Sequence, residues 1–245
     1  MRLARIQPAQ QREHGGEPER FHPGLHHMLN LTHEPVTSRY LADLSDAIAY
    51  TYQQDGHSFY VLVFPSANTT WVYDAATQAW HERAGFIDGA FTRHRGNCQM
   101  AFNNKILIGD FENGNVYAFD LDDFSDNGSI QKWLRSWRAL PTGQNNLHRT
   151  AQHMMQLDCE SGVGINLGQG SDPQVMLRWS DDGGHTWSNE HWASMGKIGQ
   201  YYKRVIWRRL GMTTKLRDRV YEISGTDPVK IAIMGAELIL SPTNA

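Results

Sequence analysis

From Ile48 onward the chain runs in short apolar stretches, alternating or continuous, separated by Gly, Asn, Asp and Pro, which is the pattern of strands joined by tight turns. Residues 48–52, 59–64, 70–73 and 80–83 predict four strands, joined through Asp55-Gly56, Pro65 to Asn68 and Asp74 to Thr77. A second group follows at 99–102, 105–109 and 115–119, with turns at Asn103-Asn104 and at Asn113-Gly114. The Asn-Gly pair predicts a type I′ hairpin, because both central residues of that turn need positive φ. Tyr73 and Tyr117 sit in similar strands 44 residues apart, a period that suits repeated four-stranded blades.

Further strands are expected at 152–157 and 174–180, then through 186–192 and 230–240. Segments 204–210 and 219–224 read as one hairpin around a charged tip at 213–217. A Gly- and Ser-rich excursion at 159–171, an acidic turn at 121–128 and a loop at 140–146 separate these runs. Helix signals are confined to a modest stretch at 38–46. The expected fold is therefore all-β, a β-propeller-like array of antiparallel β-meanders, left open to completion by another chain. The expected division is an extended N-terminal arm at 1–36, first meander units at 37–145 and a C-terminal β-region at 146–245.

Composition narrows the function. A net charge of −3 and a pI near 6.4 supply no broad basic field for nucleic-acid phosphates. Cys98 and Cys159 stand alone, with no CxxC, so neither a disulfide framework nor a zinc set is expected. No apolar run reaches the roughly 18 residues that span a bilayer, and the polar first 16 residues lack the apolar core of a signal peptide. The arm carries His22, His26, His27 and His33, read as a solvated His-rich segment rather than a metal site. No cofactor is expected.

The sharpest local motif is Ser180-Asp181-Asp182-Gly183-Gly184-His185-Thr186-Trp187. Its spacing Ser-x-Asp-x-Gly-x-x-Trp is the Asp-box pattern: Ser180 and Asp182 bond the turn backbone, Gly184 takes a conformation closed to residues with a Cβ, and Trp187 packs beneath. Calcium is disfavoured, since the alternating acids and closing Glu of an EF-hand are missing. Asp74 with Glu82, and Asp120 with Asp122, are the carboxylate pairs weighed for glycosidase work. No Gly-x-Ser-x-Gly elbow or cysteine-nucleophile context accompanies the histidines, so no enzyme is expected. The basic and apolar run from Lys203 to Leu210 marks Arg204, Trp207, Arg208 and Arg209 as a candidate subunit interface, because Trp and Arg are enriched in interface anchors.

The run from Gly168 to Trp187, with Lys203-Arg204-Val205-Ile206-Trp207-Arg208-Arg209-Leu210-Gly211, resembles the C-terminal portion of the tail-hub proteins of short-tailed bacteriophages, also called packaged-DNA stabilisation or tail-nozzle proteins. Gly56 to Leu62, Thr70 to Asp74 and Trp80 to Arg83 are similar to the same family, so the resemblance covers roughly 46–240. It implies a virion structural protein that assembles with itself as a ring, usually a hexamer, beneath the portal-adaptor proteins. Such a ring continues the DNA channel and retains the packaged genome, with transient non-specific contact to DNA. It bears tailspikes or tail fibres, meets a tail needle or plug, and is assembled in the host cytoplasm. The alternative is an Asp-box β-propeller that binds or hydrolyses glycans in the manner of a sialidase, although a sialidase carries several boxes where this chain has one.

Overall fold

The computed structural model describes residues 45–138, 149–213 and 219–243. The arm at 1–36 with its four histidines, nearly all of the helical candidate at 38–46, the loop at 140–146 and most of the tip at 213–217 lie outside the described residues. Within them the chain is all-β, with every strand pair antiparallel. It divides into two compact units, one ending at Asp120 and the other beginning at Leu121.

The first unit opens with a four-stranded meander, β1 (Ile48–Gln54), β2 (His57–Phe64), β3 (Thr69–Asp74) and β4 (Ala79–Glu82), paired in chain order. Asp55 and Gly56 both hold positive φ, 50° and 77°, and close β1 onto β2 with Gln54 opposite His57. That is the two-residue turn whose twist matches the strands. Val61, Val63 and Val72 are wholly buried on one face, and Phe64, Trp71 and Trp80 pack together with Leu62 and Tyr73 on the other. Residues 84–93 form a short hairpin, β5 (Ala84–Ile87) and β6 (Ala90–Arg93), around Asp88-Gly89 with φ of 50° and 81°.

A three-stranded sheet follows, β7 (Gly96–Phe102), β8 (Lys105–Asp110) and β9 (Val116–Ala118). Here Asn103 and Asn104 carry the positive φ values, 47° and 61°. The Asn113-Gly114 expectation is corrected: β8 and β9 are joined by the longer link 111–115, closed by side chains rather than by a two-residue turn. Asp110 Oδ1 accepts from the Glu112 amide at 2.7 Å, and Asn113 Oδ1 accepts from the Asn115 amide at 2.8 Å. These local carboxyl and amide bonds give the backbone an alternative to the tight turn.

The second unit contains β10 (Trp133–Arg138), β11 (Thr150–Cys159), β12 (Gln174–Ser180), β13 (His191–Ser194), β14 (Val205–Arg208), β15 (Val220–Gly225) and β16 (Ile233–Pro242). One sheet runs β10-β15-β12-β13 and the other β14-β11-β16. Two expectations change here. The runs 204–210 and 219–224 are not a hairpin, since β14 pairs with β11 and β15 pairs with β10 and β12 in the other sheet. Nor are these strands in meander order, so a propeller-like array does not describe this unit. The physical reason is the core: Met155 and Leu157 of β11 and Val205 and Trp207 of β14 share one apolar cluster with Val175 and Leu177 of β12 and Tyr221 and Ile223 of β15. The two sheets thus bury their inner faces against each other, the packing of a sandwich. β10 lies in this unit, so the observed division falls upstream of the boundary expected at 145.

A polar tie crosses the sandwich. The Tyr221 hydroxyl donates to Gln152 Oε1 at 3.3 Å, and Gln152 Nε2 donates to Thr150 Oγ1 at 2.7 Å, all three residues being buried. Buried polar groups are tolerated where they are satisfied in this way.

Candidate functional site

The turn after β12 is held by side chains. Ser180 Oγ accepts from the Gly184 amide at 2.8 Å and donates to Asp182 Oδ1 at 2.6 Å. Asp182 Oδ1 also accepts from the Thr186 amide at 2.8 Å, and its Oδ2 accepts from the Thr186 hydroxyl at 2.7 Å. Hydrogen bonds from Ser180, then from the Thr186 amide and hydroxyl, hold the Asp182 carboxyl far below the usual carboxylate range. Gly184 has φ of 101°, a conformation closed to residues with a Cβ.

Trp187 departs from the expectation of a buried wedge. It is half-buried, and the Arg178 guanidinium lies over its ring, 4.6 Å from the centroid. Leu177 faces the core, so Arg178, one residue on, stands on the outer face of β12, and Trp187 joins it there. Arg178 also pairs with the buried Glu222, its cross-strand neighbour on β15.

The turn is anchored from beneath by a residue without any motif signal. Arg219 is 2% exposed and binds Asp181 through two parallel bonds, Nε to Oδ1 at 2.6 Å and Nη2 to Oδ2 at 2.8 Å. Its Nη1 donates to the Leu210 carbonyl at 2.6 Å and its Nη2 to the Met212 carbonyl at 3.1 Å. Burial works against the Arg219 charge, but the bonds from Asp181 outweigh it and raise its affinity for the proton above the ordinary value. The fork thus connects three segments: the turn at 181, the stretch 210–212 that follows β14, and the start of β15.

The four candidate interface residues separate. Arg204, Arg208 and Arg209 are exposed, whereas Trp207 is 5% exposed and belongs to the core. Val205 and Trp207 alternate inward from β14, and the Trp207 indole donates to the His191 carbonyl at 2.8 Å, tying the β14 edge of one sheet to the β13 edge of the other. Trp207 is therefore corrected from an interface anchor to a core residue, its one polar atom satisfied inside the unit. Arg209 has φ of 60°, which ends the strand and breaks its alternation, so Arg209 is exposed although Val205 and Trp207 are not.

The carboxylates of the first pair weighed for glycosidase work, Asp74 and Glu82, are engaged in local hydrogen bonds. Asp74 Oδ2 takes the His57 ring at 2.8 Å and the Thr77 hydroxyl at 2.9 Å, and Asp74 Oδ1 takes the Ala76 amide at 3.0 Å. Burial raises the affinity of Asp74 for its proton, but the bonds from Thr77, His57 and Ala76 outweigh it and hold the carboxyl below its ordinary value. Glu82 accepts from the Thr69 hydroxyl at 2.9 Å and lies opposite Trp71, whereas Asp74 lies at the other end of the same hairpin opposite Ala79. Asp120 closes the first unit and Asp122 lies in the second. Among the described residues no group of three or more His, Cys, Asp or Glu side chains is placed to hold a metal ion, and no helix is long and apolar enough to cross a membrane.

Residues 132–240, from the start of β10 through most of β16, match the family model described as the β-sandwich of bacteriophage P22 Gp10. The matched stretch is similar to that family's β-sandwich. The match agrees with the two-sheet packing of the second unit and supports a structural protein of a phage tail. A search of curated proteins finds no match to the chain.

Sequence reasoning found the turn and overlooked its anchor. Asp181 stood inside the motif but was passed over for Asp182, and Arg219 lies 38 positions away, with no periodic signal to link the two. An arginine directly before the apolar run of β15 is the one cue the sequence offered.

Proposed function

We propose that this phage tail protein is a ring-forming hub that continues the DNA channel of a short tail, retains the packaged genome and carries tail appendages. The observation that carries the reading is the match of the second unit to a phage tail β-sandwich. The work is mechanical: the chain acts by assembly rather than turnover, its partners being further copies of itself, the portal-adaptor proteins above, and a needle, spike or fibre at its outer surfaces. The Asp-box at Ser180, Asp182, Gly184 and Trp187 serves this role by fixing the β12–β13 connection, and exposed Arg204, Arg208 and Arg209 belong to the contact surface. A mildly acidic chain suits a conduit, because a lumen that gripped phosphates tightly would slow ejection.

The test uses the full chain. Light scattering alone and after mixing with a portal-adaptor complex, followed by electron micrographs of the product, should show a closed ring seated on the adaptor. A chain that stays monomeric and enters no such assembly overturns the proposal.

A further inference from the structure

A cavity of about 90 Å³ opens beside β10 in the second unit. Phe124, Trp133, Val229 and Ile231 form its apolar walls, and Arg135 lines it together with Lys132 and Asp227. The walls are fixed. Val229 is 3% exposed and its amide donates to the Asp227 carbonyl at 2.8 Å. The Trp133 indole lies so close over Gly225 that a Cβ there would stand 2.6 Å from Nε1. Asp227 is committed to the same frame, since its Oδ2 accepts from the Gln174 amide at 2.7 Å. A site held in this way loses little entropy when it is filled.

Arg135 is the charge that this frame leaves without an acid. It stands opposite Ile223 of β15, a core residue, so the guanidinium rises from the core-facing side of β10 and is half-buried. Its Nη1 donates to the Leu134 carbonyl at 2.8 Å, and among the described residues no carboxylate pairs with it. Burial lowers its affinity for the proton, and no neighbouring charge offsets that. Arg219 of the same unit shows what completes such a group: its Nη1 also takes a carbonyl, while its Nε and Nη2 grip the two oxygens of Asp181. Arg135 divides its donors alike, with Nε and Nη2 left for a carboxylate, the partner that a guanidinium binds most strongly.

Size and lining choose the occupant. Pockets that take whole small molecules run to roughly 300–1,000 Å³, so a space of about 90 Å³ admits one side chain and no nucleotide. Apolar walls suit the methylenes of a glutamate and offer nothing to a sugar-phosphate. The lining also comes from sheet edges: β10 ends the four-stranded sheet, and 227–231 lead into β16, which ends the three-stranded one. Strand edges bind extended chains through main-chain hydrogen bonds, with neighbouring pockets reading the side chains.

We propose that this cavity receives a glutamate side chain from an extended segment of a partner protein, its carboxylate gripped side-on by Arg135 and its methylenes lying against Trp133 and Val229. The site goes beyond the hub reading and needs no ring to operate.

The experiment titrates the ¹⁵N-labelled full chain with the peptide acetyl-Thr-Val-Glu-Val-Thr-amide, with its Gln counterpart and with inorganic phosphate, following the Trp133 indole and the β10 amides by NMR. The Glu peptide should shift both sets of signals with half-saturation at roughly millimolar concentration, and the other two probes should bind at least roughly tenfold more weakly. Arg135→Gln should reduce the Glu peptide to the level of the Gln peptide, and Arg135→Lys, which keeps the charge but not the side-on pair, should recover only part of the loss. The comparison of probes on the unaltered chain does not depend on how either variant folds. Equal response to the Glu and Gln peptides, or full binding by Arg135→Gln, overturns the proposal. Phosphate binding as well as the Glu peptide makes this a general anion site open to nucleic acid and overturns it too. If the Glu peptide disperses self-associated chain in sedimentation velocity, the acid belongs to a second copy and the assignment to a different partner falls.

Discussion

The Arg219 fork makes the strongest quantitative claim on stability. Replacing Asp181 with Ala leaves a guanidinium that is 2% exposed with the donors of Nε and one of Nη2 unpaired, while its bonds to the Leu210 and Met212 carbonyls remain. Each stranded donor costs about 1–3 kcal/mol, and the loss of one partner from a buried ion pair costs about 3–5 kcal/mol. Because the Asp181 side chain is itself 17% exposed, water can reach its place, and the lower end, about 3 kcal/mol, applies. That is roughly a hundredfold drop in the folding constant. Adding Arg219→Met to Asp181→Ala removes the stranded charge, so the double variant should be more stable than the sum of the two single losses requires. Urea denaturation followed by tryptophan fluorescence is the assay. Six of the eight tryptophans, at 133, 137, 179, 187, 192 and 207, lie in the second unit, so the signal reports mainly on it. An unchanged midpoint in Asp181→Ala, or strictly additive losses in the pair, would refute the assigned role of the fork.

Two further outcomes follow from other groups. His94 is buried, and burial, reinforced by the Arg83 charge, depresses its affinity for a proton from the ordinary 6.5 to about 3. The unfolded chain therefore binds a proton between those values that the folded chain refuses, so the His94 contribution is fully present above pH 6.5 and is lost as pH falls toward 3. Between pH 7 and 5 this amounts to about 2 kcal/mol, a window in which carboxylates with an ordinary value of 3.8 scarcely titrate, and His94→Gln should flatten the slope in urea melts monitored by hydrogen exchange in β2 and β3. Asp182→Ala should lower the melting temperature and ring assembly together, since it removes the acceptor for both the Thr186 amide and its hydroxyl; calorimetry showing an unshifted transition would count against a turn-fixing role.

The elements legible in the sequence were those whose signal is local. β2, β3, β8 and β12 were each placed within a residue or two, because an apolar run and its flanking turn residues are adjacent in the chain. Asp55-Gly56 was found for the same reason. What failed was pairing. The segments at 204–210 and 219–224 are consecutive apolar runs with a charged tip between them, a hairpin by every local rule, yet one joins each sheet. A chain that leaves one layer of a sandwich for the other writes the same alternating pattern as a chain that turns back on itself, since both bury alternate residues on one face. The deciding quantity is which inner faces share a core, and that is a long-range property.

The same distinction explains the site. Ser180, Asp182 and Thr186 bond within six residues, so the spacing alone discloses the turn. Trp207 was misread because an aromatic flanked by arginines has the composition of an interface anchor, and composition is blind to which side of the strand is covered. Its neighbours resolve the matter: Val205 and Trp207 face inward, so Arg204 and Arg208 face solvent as a consequence of the same alternation. The proposed contact surface and the sandwich core are therefore two faces of one strand pattern. A substitution meant to probe docking must take Arg204 or Arg208, because changing Trp207 would remove an indole that ties the two sheet edges together and would report on folding instead.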